Sequence, residues 1–222
     1  MEGSIEELLK AAEQGDATAQ NRLGLCYSNG EGVSQDYAET AKWHRKAAEQ
    51  GHAAAQCGLG LCYYYADYDT NRRVRSDYTE AVKWFRKAVE QEHAEAQYFL
   101  AHCYDFGYGV RKNRVKGMEL RRKAAEQGES RAQNELGVCY SRGNGVNQDD
   151  AEAIKWYRKS AKQGNAAALC NLGNCYFYGH GVRQDYHEAA KWYRKSGDKV
   201  YEDAWEMLAE CERLIEEEAK KR

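Results

Sequence analysis

The 222-residue chain contains no proline, so glycine alone is left to punctuate its helices and turns. No stretch approaches the roughly eighteen consecutive apolar residues of a membrane span, which excludes an inserted helix. Neither sign of charge is in excess: 33 basic residues stand against 35 acidic ones, for a net charge of −2. A nucleic-acid or other polyanion partner therefore has no strong signal. Catalytic and metal signatures are missing as well. There is no Gly-x-Ser-x-Gly, phosphate loop, His-Glu-x-x-His, Cys-x-x-Cys or His-x-x-x-His, so no catalytic residue, metal site or cofactor is assigned. Met1 to Ser4 reads as an added start, and no signal peptide is legible.

What the chain does have is a repeat, clearest from Glu129 to Gly164. Ala132, Leu136, Gly137 and Tyr140 fall on one stripe of a helix with 3.6 residues per turn. Gly137 is expected to let a neighbouring helix backbone come close. Gly143-Asn144-Gly145-Val146 then stops the helix and turns the chain, with Val146 as an apolar plug. Asp149 is the expected N-cap of a second helix, with Glu152 at capping-box spacing. That helix carries Ala153, Ile154, Trp156, Tyr157 and Ala161 and ends at Gly164. Neither helix can bury its stripe alone, so the unit must stack on its neighbours.

The chain opens on half a repeat (residues 1–15), because Lys10 to Gly15 matches Lys46 to Gly51; on this reading the array continues upstream. Full copies follow at 16–51, 52–92, 93–128, 129–164 and 165–200, and a capping helix at 201–222 closes the chain and gives way to the polar run from Glu216 to Arg222. The second copy is 41 residues against 36 in the others, and its extra residues fall in the turn between Tyr64 and Arg73. An insertion there projects from one edge and leaves the stacking helices alone. In the third copy Leu120 replaces the tryptophan seen at Trp43, Trp84, Trp156 and Trp192.

The pattern Ala-x-x-x-Leu-Gly-x-x-Tyr, then Gly-x-Gly-Val, then Asp-Tyr-x-x-Ala-x-x-Trp-Tyr-Arg-Lys-Ala resembles the Sel1-like repeat family, a longer cousin of the tetratricopeptide repeat. Asn165 to Ser196 follows it almost position by position. The resemblance implies an all-α fold, a right-handed α/α superhelical solenoid with first helices lining the concave side. It also implies an adaptor that holds other proteins together. A cysteine-rich branch of the family is linked to penicillin binding and β-lactam hydrolysis, and the alternative reading is a β-lactamase-like enzyme. In that branch disulfides join the end of a second helix to the start of the next first helix. Ala48 and Gln56, Ala125 and Gln133, and Ala161 and Leu169 occupy those ends here, which argues against the alternative.

Six of the eight cysteines share one repeat position: Cys26, Cys62, Cys103, Cys139, Cys175 and Cys211. Stacked equivalents lie ~8–10 Å apart, beyond the ~7 Å a disulfide spans, so this ladder is read as small buried hydrophobes. Such thiols favour the cytoplasm or another reducing compartment. His52 and His93 share a helix start and are read as solvated. The recurring Arg-Lys pair, from Arg45-Lys46 to Arg194-Lys195, is read as an offset to the helix dipole. Arg111, Lys112, Arg114, Lys116, Arg121, Arg122 and Lys123, with Arg72, Arg73 and Arg75, suggest one positive edge for an acidic segment.

Between the stripe positions of each first helix lie residues that differ from copy to copy, spaced three, four and three. Positions that fold a repeat must be alike, whereas positions that read a partner need not be. By the resemblance this face looks into the groove. The first copy presents Asn21 and Leu25, the second Cys57, Leu61 and Tyr64. The third presents Glu95, Tyr98, His102 and Asp105, the fourth Arg131, Asn134 and Val138, and the fifth Cys170, Asn174 and Phe177. Asn21, Asn134 and Asn174 can pair with a peptide backbone. Tyr64, Tyr98 and Phe177 can serve as aromatic anchors, and Glu95, His102 and Asp105 form an acidic, pH-sensitive spot. The expected function is a non-catalytic scaffold that binds a peptide or helical segment of another protein; self-association through the repeat ends is the second expected contact.

Overall fold

The computed structural model describes residues 5–65, 77–197 and 202–220. Twelve helices and no strand occur among them: α1 (Ile5–Glu13), α2 (Ala17–Asn29), α3 (Tyr37–Glu49), α4 (Ala53–Tyr64), α5 (Tyr78–Glu90), α6 (Ala94–Phe106), α7 (Arg114–Glu126), α8 (Ser130–Arg142), α9 (Asp150–Lys162), α10 (Ala166–Tyr178), α11 (Tyr186–Ser196) and α12 (Glu202–Lys220). The chain divides into two compact units, Met1–Leu120 and Arg121–Arg222. In the first unit, α2 pairs with α3 and α4 with α5, while α3 packs on α4 and α5 on α6. In the second, α8 pairs with α9 and α10 with α11, with α9 on α10 and α11 on α12. The lengthened turn of the second copy and Arg72, Arg73 and Arg75 lie outside the described residues. The closing helix runs on to Lys220 and includes the Glu216–Lys220 run, because Arg213 pairs with Glu210 and Glu217 on its exposed side.

Local chemistry sets the helix ends. Asp36, Asp77, Asp149 and Asp185 cap the second helices; Asp149 Oδ1, for example, accepts the Glu152 N–H at 2.8 Å. Each cap is tied back to the recurring tyrosine, since the backbone N–H of Asp36, Asp77, Asp149 and Asp185 donates to the carbonyl of Tyr27, Tyr63, Tyr140 and Tyr176. First helices are capped by Asp16, His52, His93, Glu129 and Asn165. His52 and His93 are thus not simply solvated. Both are half-buried, and each Nδ1 accepts a backbone N–H, from Ala55 at 3.3 Å and from Ala96 at 3.4 Å.

Gly137 faces a ring rather than only a neighbouring backbone. A Cβ placed there would stand 2.6 Å from the Tyr157 ring. Gly60 stands in the same relation to Phe85 and Gly173 to Tyr193, at 2.6 and 2.5 Å. The helical glycine is therefore a socket for the aromatic side chain of its own hairpin partner. In the first repeat the socketed ring is His44, wedged between Gly24 and Gly58, where either added Cβ would come within 2.9 Å.

Two further side-chain series join successive hairpins. Gln20, Gln56 and Gln133 are buried and donate to the carbonyls of Ala12, Ala48 and Ala125 at 3.0, 3.2 and 3.0 Å. Each also accepts from the glutamine that ends the next second helix: Gln50, Gln91 and Gln163, at 2.8, 2.9 and 2.9 Å. The Arg-Lys pair has two structural tasks beyond the dipole. Arg45, Arg86 and Arg158 donate to the hydroxyls of Tyr63, Tyr104 and Tyr176 in the following first helix. Lys46, Lys87, Lys159 and Lys195 lie 4.1, 3.9, 3.7 and 4.7 Å from the ring centres of Trp43, Trp84, Trp156 and Trp192.

Candidate partner-binding face

The variable positions of the first helices do not all reach the surface. Cys57 is 1% exposed and sits in the core formed by Phe85, Phe99 and Leu100, its thiol 3.8 Å from Glu95 Oε2. Tyr64 is buried too, in edge-on contact with Tyr78 and Phe99 at 5.4 and 5.7 Å, and burial pushes its phenol above the usual range. Cys170 packs with Ala189 and Tyr193. Asn21 is buried, and its Oδ1 has no hydrogen-bond partner among the described residues. These four are buried and offer a partner little surface.

Other candidates are half-buried and engaged within the chain. Asn134 Oδ1 accepts from Asn171 Nδ2 at 2.9 Å, and Asn174 Oδ1 from the Tyr193 hydroxyl at 2.7 Å. Arg131 pairs with the capping residue Glu129 at 2.8 Å. Val138 and Phe177 pack against the cores of the second unit and Leu61 against that of the first. Asp105 turns its carboxylate onto α7, where a Cβ added to Gly117 would stand 2.2 Å from Oδ1.

Of the candidates only Leu25 is exposed; Tyr98 and His102 are half-buried, and Tyr98 packs against the core of the first unit as Leu61 does. Leu25 on α2 is 47% exposed. On α6, Tyr98, His102 and Phe106 follow one another a turn apart, with ring centres 5.1 and 5.5 Å apart, and Tyr108 stacks on Phe106 at 5.6 Å. Phe106 is 59% exposed, so the strip ends in an open aromatic face. In the second unit Tyr178, also more than half exposed, stacks on His180 at 5.6 Å. Phe106 and Tyr178 were not among the sequence candidates. They occupy one repeat position, also held by Asn29, Tyr65 and Arg142, which varies as freely as those chosen; a strict spacing of three after His102 selected Asp105 instead.

The basic zone also splits. Arg121 is buried and its Nε donates to Glu135 Oε2 at 2.8 Å, so it is not part of a positive edge; Arg111, Lys112, Arg114, Lys116 and Lys123 are exposed. The ladder cysteines are all thiols, but only three are fully buried. Burial pushes Cys103 up to about 12, and Cys175 and Cys211 up to about 11. Cys26, Cys62 and Cys139 are half-buried. No group of three or more His, Cys, Asp or Glu placed to hold a metal ion occurs among the described residues.

Comparison with known proteins places this geometry. The pattern of the family described as Sel1 repeat matches residues 17–52, 53–93, 94–129, 130–165 and 166–200. A Sel1 repeat protein from Oxalobacter formigenes is similar at 31% identity and a TM-score of 0.75, over 94% of this chain and 87% of its own. A protective antigen of uropathogenic Escherichia coli strains, displaying an SLR fold, is 40% identical with a TM-score of 0.74 over 92% of this chain. This chain spans 43% of that antigen's length. A Sel1 repeat protein from Klebsiella pneumoniae, 21% identical over 95% of this chain and 100% of its own, shares the fold at a TM-score of 0.60. No curated protein matches the chain.

Proposed function

This chain belongs to the Sel1 repeat family, and from that premise we propose that it is a non-catalytic adaptor that binds a segment of another protein on the exposed face of its first helices. A Sel1-type repeat fold is consistent with a protein-interaction scaffold. The observation that carries the finer reading is the aromatic strip on α6. Tyr98, His102, Phe106 and Tyr108 form a continuous line of rings, in which Phe106 and Tyr108 are exposed. Rings of this kind bind with little loss of side-chain entropy and recur as interface anchors. The matching partner is an extended or helical segment with apolar side chains at one-turn spacing, held by burial of apolar surface rather than by net charge.

The test compares wild type with a Tyr98→Ala, Phe106→Ala double variant in quantitative affinity capture of a partner from the native source, with Trp205→Ala as an exposed control on α12. The double variant is expected to weaken capture by about tenfold or more with helicity unchanged, and the control to behave as wild type. Equal retention by all three would remove the strip from the binding surface.

A further inference from the structure

The turn between α6 and α7, within the first unit, opens into a cavity of about 550 Å³ lined by Arg86, Tyr104, Arg111, Lys112, Asn113 and Lys116. Four of these six are cations, and no carboxylate appears among the described lining residues. Tyr104 joins two of the cations: its hydroxyl accepts from Arg86 at 3.3 Å, and Lys116 Nζ lies 5.7 Å from its ring centre.

Sister turns show what has changed. They read Gly-Val-Ser-Gln-Asp at 32–36, Gly-Val-Asn-Gln-Asp at 145–149 and Gly-Val-Arg-Gln-Asp at 181–185, against Gly-Val-Arg-Lys-Asn at 109–113. Lys112 adds a cation where the others carry glutamine. Asn113 removes the carboxylate that caps every other turn of this kind. The backbone arrangement survives both exchanges. Asn113 Oδ1 still accepts the Lys116 N–H at 3.1 Å, and the Asn113 N–H still donates to the Tyr104 carbonyl at 2.8 Å. Gly109 holds the turn tightly, with φ of +63° and so little space that a Cβ would meet the Tyr78 carbonyl at 2.2 Å. The helix start thus keeps its cap but loses the negative charge that would answer its dipole.

We propose that this cavity binds a phosphate-type dianion. Two arginines and two lysines line this one space, more positive charge than a single carboxylate would answer. A phosphoryl group offers three strong acceptor oxygens and close to two charges at neutral pH. Such a group can arrive as a free phosphate or on a phosphorylated side chain of a protein partner. The site is separate from the aromatic strip: Tyr104 lies about 200° around α6 from His102, at ~100° per residue.

The experiment is a titration of the whole ¹⁵N-labelled 222-residue chain with inorganic phosphate at constant ionic strength, followed by amide shifts. A phosphoserine peptide and its unphosphorylated twin form parallel arms. Saturable shifts centred on Gly109 to Lys116 are expected. The Lys112→Gln, Asn113→Asp double variant restores the residues of the sister turns, so it is expected to fold with an unchanged or higher Tm. It should bind phosphate at least about tenfold more weakly. Arg111→Ser, the residue of the first repeat's turn, gives an independent second loss. The Tyr98→Ala, Phe106→Ala variant should bind phosphate as wild type does, which separates this site from the adaptor surface. Inorganic phosphate binding as tightly as the phosphopeptide assigns the cavity to a free phosphate; a clear preference for the phosphopeptide over its twin and over phosphate assigns it to a modified partner. Absence of saturable shifts, equal binding by the Lys112→Gln, Asn113→Asp variant, or equal response to acetate overturns the proposal.

Discussion

His44 occupies the ring position that Phe85, Tyr157 and Tyr193 hold in other repeats, and it is almost wholly buried between two glycines. Burial, with a smaller contribution from His52, lowers its pKa from 6.5 to about 4. A histidine held neutral by the fold favours the native state fully above pH 6.5 and loses that contribution as the pH falls toward 4. The loss at the acid end is about 3 kcal/mol, since each tenfold weakening of proton binding by the fold is worth ~1.4 kcal/mol. His44→Phe should therefore flatten the fall of Tm between pH 7 and pH 4, measured by far-ultraviolet circular dichroism. A variant that loses stability on acidification as steeply as wild type would show that other groups control the transition. His93 shifts in the same direction, through burial first, and its cap on α6 needs an unprotonated Nδ1, so a residual slope is expected in the variant.

Between elements, side-chain amides do what the cysteine-rich branch of the family does with disulfides. Gln56 to Ala48 and Gln133 to Ala125 bridge the end of a second helix and the start of the next first helix, the same joint that the disulfides of that branch close. Each glutamine then accepts from Gln91 or Gln163, so one buried side chain links three helix ends. Gln133→Ala would leave the Ala125 carbonyl and the Gln163 amide without this partner in a buried joint, at a cost of ~1–3 kcal/mol. Gln133→Leu copies the fifth repeat, where Leu169 is buried at the same position, and should cost less because apolar packing replaces the lost bonds. Urea unfolding monitored by helicity checks the order; equal losses for both variants would mean that volume, not hydrogen bonding, secures the joint.

Across the whole molecule, stability is distributed repeat by repeat, because each hairpin is buried chiefly by its neighbours. Acid should then open the chain locally before it unfolds globally. Hydrogen exchange at pH 4.5 is expected to show earliest loss of protection in α2, α3 and α4, whose surfaces enclose His44, while α8 to α11 stay protected. Uniform loss along the chain would instead indicate a single cooperative unit. The ends differ in cover: Ile5, Leu8 and Ala12 of α1 pack on Leu23 and Trp43, whereas Trp205 on α12 is half exposed.

The hairpins, their turns and the capping aspartates were legible in the chain itself, because helix periodicity, a Gly-x-Gly break and an N-cap act between residues a few positions apart. The five repeats were legible for the same reason, as the pattern recurs at a nearly constant interval. The partner face was only partly so. Variation from copy to copy marked Leu25, which is exposed, and Tyr98 and His102, which are half-buried, but equally Cys57, Tyr64, Cys170 and Asn21, which are buried. Spacing along a helix gives the angle of a residue about its own axis; burial depends on what another helix, about a dozen to forty positions away, brings against that angle. Tertiary packing alone decided that Tyr64 completes an aromatic core, that Asp105 turns onto α7, that Arg121 is neutralised by Glu135, and that the cations around Tyr104 converge on one cavity.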